Sequence, residues 1–209
     1  EPYRRQRQMC IRDSAYTTAI NEGRAHDPIL ITRIESADGK ELFKYQPQQE
    51  IQAIPYETAF LLTDMLKGGL TEPGGTSKAL WAYDLFRYDT EFGGKTGTSS
   101  NHSDAWFVGV TPNLVGGSWV GGEHRSIHFR TGELGQGSRT ALPVFAYFME
   151  GVLKDKHLTK YRGKFPKPKE AIHKSYGCQG LYHPKDTDSI AVNLPDSLAG
   201  SEEDILTSF

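Results

Sequence analysis

Two cysteines, Cys10 and Cys178, are all that the 209 residues contain. They stand far apart in sequence, which excludes a disulfide framework and leaves the redox compartment open. No apolar run approaches the ~18 residues that span a bilayer. The start Glu1-Pro2-Tyr3-Arg4 has neither Met nor the apolar stretch of a signal peptide, so the chain reads as cytosolic or as missing its beginning. An excess of one charge is also missing. Lys and Arg number 24 against 26 Asp and Glu, a net charge of −2; with no basic footprint for a polyanion, nucleic acid is a poor candidate partner. The 37% hydrophobic and 24% charged residues are those of a soluble globular chain, not a fibrous, disordered or membrane-spanning one. At ~150 residues per domain, the length suits one domain with an appendage, or one piece of something larger.

The stretch 4–14 carries four arginines and no apolar periodicity. It resembles peptide read through from sequencing adapter, so residues 1–14 are taken as a non-native segment and set aside from the fold. From Ala15 the texture is that of a folded domain. Residues 29–34 are β-branched and apolar, and Asp38-Gly39 turns them toward Leu42-Phe43-Lys44-Tyr45, which predicts a hairpin. Pro55 opens a helix with Ala59, Leu62, Met65 and Leu66 at helical spacing and Gly68-Gly69 as its stop. Pro73-Gly74-Gly75 marks a loop, and Ser77 caps a short helix through Leu80 and Trp81. Strands are predicted over 94–99, 105–110 and 115–120. Short connections such as Thr111-Pro112-Asn113 make neighbours antiparallel, since a parallel return needs a longer crossover. Pro143 starts an amphipathic helix with Val144, Phe145, Phe148 and Val152 on one side, ending near Lys154. Together these predict an α+β fold, an antiparallel sheet flanked by helices. From residue 156 the Pro-rich, mixed-charge sequence, which finishes with Glu202-Glu203-Asp204, predicts a poorly ordered extension over 156–209.

The densest cluster of functional residue types is Phe92-Gly93-Gly94-Lys95-Thr96-Gly97-Thr98-Ser99-Ser100. A phosphate loop needs Gly, four residues, then Gly-Lys-Thr; here the first glycine is replaced by Asp89, whose charge repels phosphate. The small and β-branched residues after the lysine are also a poor helix start. The other reading is an edge strand bordering an acyl-transfer site. Alternation puts the Thr96 and Thr98 hydroxyls on one face, where they can bind a carboxylate, and Gly97 lets the backbone approach a reacting carbonyl. An unpaired amide on such an edge, that of Thr98, can donate to a developing oxyanion, a contact worth ~3 to 4 kcal/mol of barrier in comparable sites. Lys95 adds positive charge beside the carboxylate and can share in proton transfer.

Lys95-Thr96-Gly97-Thr98, a linker over 99–103, and Asp104-Ala105-Trp106-Phe107-Val108-Gly109-Val110-Thr111-Pro112 together resemble the transpeptidase domain of class A penicillin-binding proteins. Ala15-Tyr16-Thr17-Thr18-Ala19, Ile31-Thr32-Arg33-Ile34, Leu62-Thr63-Asp64-Met65-Leu66, Trp119-Val120-Gly121 and Ala141-Leu142-Pro143-Val144-Phe145 fall in the family's order, over roughly residues 15–155. The resemblance implies a serine transpeptidase/β-lactamase-like fold, here incomplete at its N-terminus. It makes Lys95 and Thr98 catalytic, Thr96, Gly97 and Thr98 substrate-binding, and asks for no cofactor and no metal. It implies acyl transfer from D-alanyl-D-alanine stem peptides of peptidoglycan through an S-x-x-K serine, with an S-x-N motif assisting; β-lactams acylate the same serine. A membrane anchor, a glycosyltransferase domain and a periplasmic location outside the bacterial inner membrane are implied for the whole protein. The missing N-terminal half then becomes this chain's nearest partner.

No serine here has lysine three positions on; Ser36 to Lys40 is one residue too long. Ser99-Ser100-Asn101 spells S-x-N but comes after the K-T-G strand, where the family has a variable loop, and reads as chance. Without an activated nucleophile the isolated chain is expected to be inactive. His102-Ser103-Asp104 has triad composition, yet adjacent residues do not converge like a triad. His124 and His128 stand among Arg125 and Arg130, a poor metal site. Trp106, Phe107 and Trp119 read as core residues, and Glu123 and Glu133 as solvated or as bordering a groove. The rival function is a non-catalytic module that keeps the K-T-G edge for peptide docking.

Overall fold

The computed structural model describes residues 2–47, 49–169 and 171–173. Residues 1–172 make one compact unit, and 173–209 a second that lies, apart from His173, outside the described residues. The chain runs from helix α1 (Pro2–Ile20) through strands β1 (Arg24–Ala25), β2 (Arg33–Glu35), β3 (Glu41–Lys44) and β4 (Ile51–Gln52) into helix α2 (Tyr56–Thr71). Strands β5 (Gly93–Thr98), β6 (Asp104–Thr111) and β7 (Leu114–Gly121) come next, then a single turn, α3 (Gly132–Gly135), and helix α4 (Ala141–Lys154). α1 runs through the segment set aside as non-native.

The β-branched positions and the Thr111 to Leu114 turn produce an antiparallel meander in the order β5-β6-β7. Alternation sorts its side chains. Thr96, Thr98, Ala105 and Phe107 share the face toward α4, where the rings of Phe107 and Phe145 meet edge to face at 5.2 Å. Gly109 and Gly116, paired across β6 and β7, leave the slot that the Phe145 ring fills. Lys95, Gly97, Trp106 and Trp119 occupy the opposite face, toward α1 and α2. Phe107, Leu80, Leu85, Leu142, Met149 and Leu153 are fully buried and form the core; each such side chain contributes about 1.5–3 kcal/mol by leaving water.

Several expectations need correction. The hairpin forms, but its first strand begins at Arg33; Ile29, Leu30 and Ile31 are exposed and join no ladder. α2 does not stop at Gly68-Gly69. A Cβ on Gly69 would lie 2.7 Å from Gly94 O, so this glycine serves helix–strand contact, not termination. Ser77 precedes a 3-10 turn, Lys78–Ala82, without capping it; its buried Oγ has no partner among the described residues. On α4 the buried stripe is Ala141, Leu142, Phe145, Ala146, Met149, Val152 and Leu153, whereas Val144 and Phe148 are exposed. The extension expected from 156 is partly structured: Lys156–Tyr161 forms a 3-10 helix, and bonds such as Asn113 Nδ2 to Arg162 O anchor the residues after it. The Glu202-Glu203-Asp204 end lies outside the described residues, as does Cys178. Among the described residues no helix is long and apolar enough to cross a membrane.

Candidate active site

β5 pairs only with β6, so one edge of the Lys95-Thr96-Gly97-Thr98 strand has no neighbouring strand among the described residues. In an antiparallel ladder bonded and non-bonded pairs alternate. Ser99 N donates to Asp104 O at 2.9 Å just beyond the strand end, which makes Gly97–Trp106 and Lys95–Val108 the bonded pairs of the register. The N–H groups of Thr96 and Thr98 therefore point away from β6, toward the open edge. This geometry suits an anionic oxygen at that edge.

The Thr98 hydroxyl is held from the other side. Its Oγ1 accepts from Gly137 N at 3.1 Å. Gly137 lies flat on the strand pair: a Cβ there would come within 2.5 Å of Trp106 O and 2.9 Å of Gly97 O, so only glycine permits the contact. The turn ahead of α4 thus clamps the end of β5.

A cleft of about 570 Å³ opens beside this strand end, lined by Gly97, Thr98, Ser99, Asp104, Trp106, Trp119 and Arg125 among others. Asp104 is fixed by Trp119 Nε1 at 3.1 Å and Ser103 Oγ at 2.9 Å. The Arg12 guanidinium stands 4.2 Å above the Trp106 ring. Trp106 and Trp119 are therefore cleft residues and not core, unlike Phe107. Period-two alternation outward from Phe107 was the sequence signal that separates them.

Lys95 lines a different hollow of about 430 Å³, with Tyr16, Leu62, Met65 and Leu66 from α1 and α2. Its Nζ donates to Thr96 O. The candidate residues are thus contiguous on β5 yet divided: Gly97 and Thr98 address one hollow and Lys95 another, while the Thr96 side chain lies on the α4 face with that of Thr98. Glu123 lines the larger cleft. The triad-like trio does not converge, because Ser103 Oγ meets Asp104 while the His102 ring lies beside Gly132. Among the described residues no group of three or more His, Cys, Asp or Glu side chains is placed to hold a metal ion, His124 and His128 included.

A family model described as "Penicillin binding protein transpeptidase domain" matches residues 14–150. Penicillin-binding protein 1A of Aquifex aeolicus is 32% identical over 139 residues, covering 66% of this chain and 18% of that protein. The chain spans about a fifth of the length of the curated relatives it matches. The crystal structure of penicillin-binding protein 1A from Haemophilus influenzae superposes with a TM-score of 0.59 at 24% identity, covering 69% of this chain and 26% of that one. Penicillin-binding protein PonA1 from Mycobacterium tuberculosis gives 0.54 at 28% identity, covering 77% and 41%.

Proposed function

Since the chain belongs to the penicillin-binding protein transpeptidase family, carrying part of the transpeptidase domain of a class A member in a serine β-lactamase-like fold, we propose that it supplies the K-T-G wall of a D,D-transpeptidase that cross-links peptidoglycan. Thr98 N–H donates to the oxyanion of the tetrahedral intermediate. The Thr96 and Thr98 hydroxyls bind the substrate carboxylate, Gly97 lets the backbone approach, and Lys95 assists proton transfer. The serine that attacks comes from an upstream S-x-x-K segment. Its oxygen bonds to the penultimate D-alanine carbonyl, the peptide C–N bond breaks, and D-alanine leaves with the proton; a neighbouring amine then takes the acyl group and frees the serine. β-Lactams enter at the first step.

The observation that carries this reading is the Thr98 amide directed away from β6, on the one strand that also bears Lys-Thr-Gly. From composition we further propose that residues 1–14 are foreign to the domain and that the domain proper covers 15–155, and from the family that the whole enzyme is anchored in the inner membrane with this part in the periplasm. The chain by itself is inactive for want of the nucleophile. The test is intact-mass measurement of β-lactam acylation on the domain completed with its upstream half. The full antibiotic mass should be added in wild type, and Lys95→Ala should slow acylation by ~10²-fold. An unchanged rate would remove Lys95 from the mechanism.

A further inference from the structure

Strand β5 is entered through Asp89, Thr90, Glu91 and Phe92, and the chain leaving α4 returns to that entry. Glu91 N donates to Gly163 O at 2.9 Å. Glu91 Oε2 accepts from Phe165 N at 3.0 Å and lies 3.5 Å from Lys67 Nζ on α2. Lys164 Nζ pairs with Asp89 at 2.7 Å. At one end of the returning segment, Arg162 Nε donates to Leu153 O in the last turn of α4 at 3.2 Å, and its guanidinium stands 4.9 Å from the Tyr88 ring. The Arg162 carbonyl accepts from Asn113 in the β6–β7 turn. At the other end, Lys169 N donates to Tyr56 OH at the start of α2, 2.8 Å away.

We infer that residues 162–169 are a strap that fixes the entry to β5, and that Glu91 is a positioning residue for that strand's open edge. The inference deepens the transpeptidase reading and rests on it for its functional meaning. An edge strand bonded on one side opens more readily than a central one, so the placement of its outward N–H groups depends on how its ends are held. The Gly137 clamp holds the Thr98 end. Glu91 holds the other, two residues ahead of Gly93, by joining three elements: its amide and carboxylate take the strap, and the same carboxylate takes Lys67 of α2. Charge-assisted bonds to a carboxylate are stronger than neutral ones, and Glu91 and Lys67 are only about a third exposed, so water screens the pair in part. Oxyanion donors lose effect when displaced by about 0.5 Å.

Amide hydrogen exchange of the 209-residue chain, monitored by mass spectrometry, reads this directly. Glu91→Ala should raise exchange across 93–98 by about tenfold, with α4 peptides unchanged. Glu91→Gln keeps an acceptor for Phe165 N and should recover most of the protection. Phe165→Pro deletes the same bond from the strap side, leaves Glu91 in place, and should reproduce the rise. Val152→Ala, a core change on α4 that removes none of the strap's bonding groups, should lower global stability without singling out β5. Wild-type exchange at 93–98 in both Glu91→Ala and Phe165→Pro overturns the inference, and so does a rise that Val152→Ala matches. In the completed domain, Glu91→Ala should slow the acylation step more than it weakens initial β-lactam binding. A completed wild-type domain that is never acylated sinks the transpeptidase reading, while the exchange results still decide the strap.

Discussion

Thr98 presents two polar groups to two surroundings: its hydroxyl accepts from Gly137 N while its amide points away from β6. Replacing it separates the two. Thr98→Val leaves Gly137 N without its partner and should cost ~1–3 kcal/mol in urea unfolding, and in the completed domain it should also slow acylation; Thr98→Ser should restore both. Gly137→Ala forces a methyl into the carbonyls of Trp106 and Gly97 and should cost ~1–3 kcal/mol by overpacking. Asp13 is a liability of another kind. Burial pushes its carboxyl above the ordinary value, so folding favours the protonated form; the benefit is present in full below the unfolded-state value and is lost as pH rises through the raised one. Asp13→Asn should therefore raise the melting temperature at pH 7, and the gain should vanish near pH 3; an equal gain at both would assign it to packing.

Among the elements, α4 shows what periodicity delivers and what it withholds. Its extent was legible from Pro143 and the apolar spacing, but two overlapping stripes fit a 3.6-residue repeat, and only the sheet decides between them. Phe145, locked against Phe107, is the buried choice. Phe145→Ala should cost ~3–5 kcal/mol, whereas Phe148→Ala should stay within ~0.5 kcal/mol, both read by chemical denaturation. The meander was legible almost to the residue because period two and a tight turn are local signals. Gly68-Gly69 misled because a glycine needed for contact with a partner strand spells the same as a glycine that ends a helix. The segment 156–169 misled because its order comes from bonds to Asn113, Glu91 and Tyr56, which leave no periodic trace.

At the scale of the molecule, a three-stranded sheet carries α4 on one face and α1 and α2 on the other, and the proposed chemistry belongs to its β5 edge. The strand carrying Lys95, Thr96, Gly97 and Thr98 was legible, and these four residues could be proposed as a site because backbone chemistry leaves a motif. That Lys95 and Thr98 open onto separate hollows was not, since it depends on which helices cover which face. Nor was the tryptophan floor, whose composition reads as core. The reading turns on chemistry divided between this strand and an upstream serine. The most direct measurement is gel labelling with a fluorescent penicillin, applied to the 209-residue chain alone and to the chain joined to its family's S-x-x-K half. The chain alone should give no covalent band, and the joined protein should give one that disappears when the upstream serine is changed to alanine. A covalent band on the chain alone, or none on a joined protein whose circular dichroism shows it folded, contradicts the division.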